Sequence, residues 1–199
     1  MKLYLSTIAV ATVIISALNI FFGVAAWYYV IIAVIWCAAL QFILDSTVAL
    51  LIKISPDRWW GIDNPLFNVS DRSKRFYKAI KVRHWKDKVW ELGGLGGFSK
   101  KRLEKPNDPD YVKKFIIECN KGVITHRLSY PIGFLAMLTL SGLPSLTVAL
   151  PVAAVNLFLN VLPTIVLRYN TPKLKSKLTL LNRRSKSNAQ DIKHLESNF

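Results

Sequence analysis

Two long stretches without a charged residue constrain this chain of 199 residues more than any other feature. No Asp, Glu, Lys or Arg occurs in residues 3–44, a stretch of 42 residues, or in residues 128–167, a stretch of 40 residues. A membrane-spanning helix needs about 20 apolar residues, so each stretch is long enough for two crossings. This pattern excludes an ordinary soluble domain, a nuclear DNA-binding protein and a disulfide-stapled secreted module.

Each uncharged stretch has to turn, because a single helix of that length would be about 63 Å long, twice the thickness of the hydrocarbon core. In the first stretch the turn is expected at residues 19–23, which contain the only helix breaker near its middle. In the second stretch the turn is expected either at residues 141–144 or at Pro151. A short or re-entrant segment in one half of this stretch is an alternative to two full spans. The apolar start is longer than the roughly 7–15 residues of a signal-peptide core, which argues against a cleaved signal.

The basic residues lie between and after the two uncharged stretches. Residues 53–127 hold 18 Lys and Arg against 9 Asp and Glu, and residues 168–199 hold 8 against 2. By the positive-inside rule, both termini and the middle segment face the cytoplasm. The net charge of +15 is then explained by topology and by contact with anionic lipid, and no nucleic-acid partner is expected.

These observations predict an all-α integral membrane protein with four transmembrane helices and a basic amphipathic cytoplasmic insertion. The expected location is the cell membrane, in a multi-pass arrangement. The predicted parts are an N-terminal transmembrane hairpin (1–52), the interfacial insertion (53–127), a C-terminal transmembrane hairpin (128–168) and a basic cytoplasmic tail (169–199).

Two helices are expected in the insertion. Ser70 is a suitable N-cap for a basic amphipathic helix over residues 71–88, which would lie on the inner leaflet. Asp108 is a suitable cap for a second helix, since Pro109 would occupy its first position. Glu118 and His126 fall on one stripe of that second helix, about 12 Å apart along the axis, so they cannot touch directly.

A carboxylate and an imidazole that face one notch of a helix could handle the proton of a bound hydroxyl group. The alternative is a solvated glutamate and an interfacial histidine without a catalytic role. Gly122 lies between the two residues and would open the notch.

Polar residues inside the apolar stretches are costly and usually face protein or ligand. Asn156 and Asn160 are two of them. Asp45 lies within the membrane if the second span covers residues 27–52, and we then expect it to pair with a basic residue of the insertion. If that span ends at Leu44, Asp45 is only a boundary residue.

No metal site and no cofactor are expected, because the sequence contains neither an H-E-x-x-H motif nor a Cys/His cluster. Four glycines within residues 93–97, beside Lys100 and Lys101, could cradle a phosphate, although the spacing is not that of a nucleotide-binding P-loop. A flexible connector is the alternative. The hydrolase motif G-x-S-x-G is absent as well.

Over residues 53–184 the chain resembles the glycosyl-4,4'-diaponeurosporenoate acyltransferases. The resemblance is carried by VRHWKDK at 82–88, FIIE at 115–118 followed by His126, NVLP at 160–163 and RYNTPKL at 168–174, with FSKK at 98–101 as a looser match. It implies transfer of a fatty acyl group from a thioester donor, acyl-CoA or acyl carrier protein, to a sugar hydroxyl of a membrane glycolipid.

The resemblance also implies roles for the matched residues. His126 is expected to be the general base, and Glu118 to orient the acceptor or support the imidazolium. Donor phosphate or the oxyanion would be bound by basic residues, and the acceptor by polar ones. The expected substrate-binding residues are Arg83, Trp85, Lys86, Asn160, Arg168, Tyr169 and Asn170.

Three alternatives remain beside this interpretation. A covalent mechanism would place the acyl group on Cys119 or Ser99, but neither has a base at a fixed spacing. Another membrane transferase, such as a lipid methyltransferase, would need a nucleotide-like donor pocket. A non-enzymatic assembly or lipid-binding protein would explain the charge and the aromatic residues, but not the stripe shared by Glu118, Gly122 and His126.

Overall fold

The computed structural model of the chain describes residues 2–89 and 103–196, and every regular element in that part of the chain is helical. The α-helices are α1 (Lys2–Phe21), α2 (Trp27–Ile54), α3 (Asp71–Ala79), α4 (Val82–Trp85), α5 (Pro109–Ile132) and α6 (Leu150–Glu196). Short 3-10 helices cover Asp57–Trp60, Pro65–Phe67, Lys86–Lys88 and Gly133–Thr139, and a π-helix covers Ser145–Ala149.

The described residues form two compact units. The first unit comprises those within 1–55, 87–90 and 122–165, and the second unit those within 56–86, 91–121 and 166–199. Both α5 and α6 contribute residues to each unit. The glycine-rich residues 93–97, together with Ser99 and the looser match at 98–101, lie outside the described residues.

The first unit is built from α1, α2, the 3-10 helix Gly133–Thr139 and the start of α6. Their apolar side chains form one core, because such helices bury their small and branched residues against each other. Two polar contacts add to it: Asn19 donates to the carbonyls of Ile15 and Thr147, and the Trp36 indole donates to Thr139. The core residues are Ile15, Val30, Ala33, Val34, Cys37, Ala136, Val148, Ala149 and Val152.

Both expected turns are present. Helix α1 ends at Phe21, and Gly23 follows with a φ of +62°, a conformation that a residue with a Cβ adopts only with strain. In the second uncharged stretch the turn lies at residues 141–144, the first of the two predicted positions. The other candidate, Pro151, lies inside α6.

Three helices in the described part of the chain are long and apolar enough to cross a membrane: Tyr4–Phe21, Trp27–Ile54 and Ser145–Ser187. The predicted all-α fold with several helices of this kind is therefore confirmed. The number of four is not, since the described residues contain three such helices. The expected third span, from Leu128, is not among them, because α5 carries six charged residues, which lower its mean hydropathy. Its apolar end stops being α-helical at Ile132, beside Pro131, and continues as a 3-10 helix.

The second unit has a smaller core, where α5 packs against the C-terminal half of α6. Its buried members are Val112, Ile116, Leu178 and Leu181. Polar contacts join the segment after α2 to α5: the Lys121 ammonium lies 2.6 Å from the Asp57 carboxylate, and the Asn120 amide donates to the Trp60 carbonyl.

The predicted helix over residues 71–88 is interrupted, which corrects that prediction. Its N-cap is confirmed, since the Ser70 hydroxyl accepts from the Ser73 amide, but α3 ends at Ala79. Lys81 has a φ of +51°, in the left-handed region, so the chain changes direction before α4. In the first turn of α3 the Lys74 ammonium, which donates to Asp71 at 2.8 Å, lowers the pKa of that exposed carboxyl.

The long helices begin and continue for identifiable reasons. Asp108 caps α5 as predicted, because its carboxylate accepts from the amides of Asp110 and Tyr111 at 3.0 and 3.1 Å. Helix α6 passes through Pro163 and Pro172, each of which removes one backbone hydrogen bond. Around them Thr164 and Thr171 donate to the carbonyls four residues earlier, a bond that bends a helix without ending it.

Candidate functional site

The two predicted catalytic residues lie on the same helix but in different units. His126 is half-buried in the part of α5 that belongs to the first unit. Glu118, also half-buried, belongs to the second unit. The polar environment of each is therefore described separately.

A second element, α6, supplies a partner for the His126 imidazole. Its Nδ1 lies 2.8 Å from the Oδ1 of Asn160. The orientation of that amide is set by its other end, where Nδ2 faces three acceptors at 3.0–3.1 Å. They are the Asn156 carbonyl, the Asn156 side-chain oxygen and the Oδ2 of Asp45.

This network assigns the tautomer of His126. Because Nδ2 of Asn160 donates to its neighbours, Oδ1 is the end that meets the imidazole, and an amide oxygen only accepts hydrogen bonds. The Nδ1 of His126 must then carry the proton, so the lone pair of the neutral ring is on Nε2. The arrangement is that of a histidine held in one tautomer by a hydrogen-bonding partner, as a general base requires.

Asp45 forms the far end of the network. It lies in α2, nine residues before Ile54, and its Oδ2 accepts from Asn160 at 3.1 Å. The partner that the structure shows is thus an amide rather than the basic residue we expected. An acidic side chain in an apolar helix is costly unless it is hydrogen-bonded, and Asn160 supplies such a bond.

Asp45 and Asn156 are site residues that the sequence motifs did not assign. Both stood out as polar residues in or beside an apolar stretch, which is the signal that could have found them. Their connection to His126 through Asn160 had no signal in the sequence, because Asn160 is 115 residues from Asp45 and 34 residues from His126.

Gly133 lies where two side-chain amides approach the backbone. Its carbonyl accepts from Nε2 of Gln41, and a Cβ at this position would lie 2.8 Å from Oε1 of Gln41 and 3.0 Å from Nδ2 of Asn156. Real Cβ contacts of 2.8 Å are essentially never seen, so only a residue without a side chain leaves both amides in place.

We expect Gly133→Ala to lower the free energy of unfolding by about 1–3 kcal/mol, the usual cost of overpacking a buried site. Chemical unfolding of the purified protein in detergent measures this change. The control is Gly61→Ala, whose new Cβ would meet only the Arg58 carbonyl at 3.6 Å, an ordinary contact. Equal stabilities for the two variants would contradict the close approach at Gly133.

The predicted substrate-binding residues on α6 beyond Asn160 lie in the second unit. The Arg168 guanidinium is 9% exposed, and its Nη2 donates to the Asn68 carbonyl at 3.0 Å. Its Nη1 is buried and has no hydrogen-bond partner among the described residues. Tyr169 packs edge-on against Tyr77, with the Lys173 ammonium 4.0 Å above its ring.

A further cation lies close to this arginine. Lys175 donates to the side-chain oxygen of Asn68, the same residue whose carbonyl receives Arg168. Asn170 is half-buried on the same helix. This part of the second unit therefore concentrates positive charge around a buried guanidinium nitrogen, which favours an anionic ligand.

The remaining predicted substrate-binding residues, Arg83, Trp85 and Lys86, lie at α4 in the second unit. Arg83 is exposed and Lys86 is half-buried. Trp85 holds this segment in place, since its indole donates to the Ile80 carbonyl at 2.9 Å across the break at Lys81.

The structure does not favour the covalent alternative through Cys119. That thiol is 2% exposed, whereas a reactive cysteine is partly exposed. The other candidate nucleophile, Ser99, lies outside the described residues.

Comparison with known proteins gives one finding. The family model described as glycosyl-4,4'-diaponeurosporenoate acyltransferase matches residues 56–180, well over half of the chain. The matched range contains all the predicted catalytic and substrate-binding residues, but it begins after Asp45. No curated protein and no solved structure matches the chain.

Proposed function

Because the chain belongs to the glycosyl-4,4'-diaponeurosporenoate acyltransferase family, as its motifs predicted, we propose that it esterifies a sugar hydroxyl of a membrane glycolipid with a fatty acyl group. The acyl donor is a thioester, acyl-CoA or acyl carrier protein. The acceptor is a glycosyl carotenoid or a similar glycolipid. The hydrogen bond between His126 and Asn160 is the observation that carries the mechanism.

In the proposed reaction, Nε2 of His126 accepts the proton of the sugar hydroxyl while its oxygen attacks the thioester carbonyl. The resulting tetrahedral intermediate collapses as the C–S bond breaks. The imidazolium returns the proton to the leaving thiolate, so the products are the ester and a free thiol. No oxidant or cofactor enters the balance.

Asn160 and Asp45 act on the imidazole rather than on the substrate. Asn160 keeps Nδ1 protonated and fixes the plane of the ring through its 2.8 Å contact. Asp45 holds the Asn160 amide in the orientation this requires, and its negative charge favours the imidazolium that forms during the reaction.

The residues of the second unit are proposed to handle charge and polarity on the substrates. The buried Nη1 of Arg168 is suited to a phosphate oxygen of the donor or to the oxyanion, and Arg83 and Lys86 add positive charge for the donor. Tyr169 and Asn170 would hydrogen-bond polar parts of the acceptor. Glu118 keeps its proposed role of orienting the acceptor or supporting the imidazolium.

Lipid mass spectrometry of cells with and without the protein tests this function. Loss of an acylated glycolipid, together with accumulation of the same glycolipid lacking its acyl chain, is the expected result. An unchanged lipid profile would favour a non-enzymatic role in lipid binding or assembly.

The proposed topology has four crossings, with both termini and residues 53–127 in the cytoplasm. The segment that leads from Leu128 to Thr139, although short of a regular span, would cross opposite the start of α6. The basic residues of the middle segment and of the tail support this orientation through the positive-inside rule.

Cysteine labelling of intact cells measures the topology. In a background in which Cys37 and Cys119 are replaced by Ala, Ser141→Cys at the exposed turn is expected to react with an impermeant maleimide. Asn107→Cys, equally exposed in the insertion, should react only after permeabilisation. Labelling of Asn107→Cys in intact cells would place the insertion outside the cell and contradict the proposed orientation.

A further inference from the structure

The part of α6 that follows Pro172 carries an uncompensated positive charge. Six Lys and Arg lie within residues 173–186, whereas no Asp or Glu occurs anywhere in residues 119–190. In the part of the chain that the structure describes, none of these six cations forms an ion pair with an acidic side chain. Their charge is therefore not balanced inside the protein, which favours an anionic partner outside it.

The apolar face of this part of α6 is already occupied. Leu174, Leu178 and Leu181 lie on one side of the helix and pack, in the core of the second unit, with Val112 and Ile116 of α5. An amphipathic helix that lies on a bilayer inserts its apolar face among the lipid chains. Because this face is packed against protein, the segment cannot bind a membrane in that way.

Another side of the same segment carries a stripe of basic residues. Lys173, Lys177, Leu180 and Arg184 are spaced four, three and four residues apart, which places them on one face of the helix. Lys173 and Arg184 are exposed, Lys177 is half-buried and Leu180 is 57% exposed. These four residues form the basic stripe, which extends about 17 Å along the helix axis.

A bilayer surface is a poor match for the basic stripe. Segments that lie at a membrane interface are rich in Trp and Tyr, whereas residues 173–187 contain no aromatic residue. The exposed aromatic side chains of the second unit, such as Trp59 and Phe76, lie on other helices. Those helices are better suited to contact with lipid than the basic stripe is.

An acidic protein helix is complementary to the basic stripe in charge and in length. Its carboxylates can pair with Lys and Arg over the whole stripe, and an apolar side chain among them can cover Leu180. A small phosphate ligand would meet only part of the stripe, since its three cations are spread over about 17 Å. A second copy of this chain carries the same positive charge there and would be repelled.

We propose that the basic stripe is the docking surface for an acidic carrier protein that delivers the acyl group. Of the two donors in the proposed function, only acyl carrier protein has a protein surface, so the identification of the partner rests on that function. The carrier docks through carboxylates on Lys173, Lys177 and Arg184, with an apolar side chain against Leu180. Acyl-CoA, which has no protein surface, does not use the stripe.

Binding of a fluorescently labelled acyl carrier protein to the full-length protein tests the proposal. The protein is held in phosphatidylcholine nanodiscs, whose lipid has no net charge, and the carrier has a net negative charge. A second carrier has the acidic residues of one exposed helix replaced by Asn and Gln. We expect Kd to be about tenfold higher or more for the second carrier, and to rise with salt for the first. Equal affinities for the two carriers would overturn the proposal without any variant of this chain.

Charge reversal locates the docking surface. Lys177→Glu combined with Arg184→Glu should raise Kd about tenfold or more, since two attractions become repulsions. The matched control is Arg183→Glu combined with Lys186→Glu, which makes the same change of charge at two exposed positions about a third of a turn away. The control should change Kd by about threefold or less. Equal effects of the two pairs would show that net charge, and not the stripe, governs binding, which would contradict the proposal.

Labelling of Ser176→Cys with a neutral maleimide distinguishes a carrier from lipid. Ser176 is exposed one turn before Leu180, and Cys37 and Cys119 are replaced by Ala in this background. Saturating carrier should slow the labelling about fivefold or more. Phosphatidylglycerol added to the nanodiscs should leave the labelling without carrier within about twofold. Slower labelling with phosphatidylglycerol alone, or no effect of the carrier, would overturn the proposal, and the first result would assign the stripe to the membrane.

Carrier binding does not depend on acyl transfer, so the two proposals fail separately. Binding through the stripe in a protein that transfers no acyl group would leave a docking surface and remove the enzymatic function. Acyl transfer from acyl-CoA that depends on His126, without binding of the carrier, would remove the docking proposal alone.

Discussion

Replacement of His126 by Ala is expected to lower kcat for acyl transfer by about 10²–10⁴-fold, the contribution typical of a general base. KM for the donor should change little, because the imidazole is proposed to act on the acceptor proton. The assay compares purified wild type and variant in the same detergent, with a thioester donor and a glycolipid acceptor.

The matched control for this variant is His84→Ala. His84 is an exposed imidazole in α4 and takes no part in the network around Asn160. Its loss should leave kcat within about twofold. A His126→Ala protein that keeps more than about a tenth of the wild-type rate would show that another group is the base, and trapping an acyl group on Cys119 would be the next test.

Asn160→Leu is expected to impair both activity and stability. It removes the acceptor that fixes the His126 tautomer, so kcat should fall by about 10²–10⁴-fold, the upper value being the loss when the partner that fixes the tautomer of a catalytic histidine is replaced. It also leaves Oδ2 of Asp45 without the donor shown in the structure, at a cost of about 1–3 kcal/mol in the free energy of unfolding.

Thr164→Val is the control for Asn160→Leu. Thr164 is buried one turn further along α6, and its hydroxyl donates to the Asn160 carbonyl, so the control removes a side-chain hydrogen bond without touching His126 or Asp45. A modest loss of stability and an unchanged kcat are expected. Wild-type turnover by a folded Asn160→Leu protein would refute the proposed role of the amide.

The local features of the fold could be predicted from the sequence, because their causes are local. The turns at residues 19–23 and 141–144 contain Gly or Pro. At the caps, the side chains of Ser70 and Asp108 accept from backbone amides within the next three residues. The break at Lys81 was missed, since a lysine gives no signal for a left-handed conformation. The predicted C-terminal hairpin ends at residue 168, and nothing in the composition of the tail indicates that helix α6 continues through Pro172 to Glu196.

The candidate site likewise divides into features that the sequence predicted and features that it did not. His126 could be selected from its motif, but its partner was sought on its own helix, where spacing can be counted. The structure instead supplies Asn160 from α6 and Asp45 from α2. Contacts of this kind depend on how helices pack, and no periodicity in the sequence encodes them.

The saturated amide of Asn160 has a consequence for how this position tolerates change. Its oxygen must accept from an imidazole while its nitrogen donates to a carboxylate and to a backbone carbonyl. Asp lacks the donor, Leu lacks both the donor and the acceptor, Thr has a single hydroxyl in place of two separate polar atoms, and Gln places the amide one carbon further out. In a library that samples every amino acid at this codon, selection for function should return asparagine alone, whereas the neighbouring Thr164 should accept several residues.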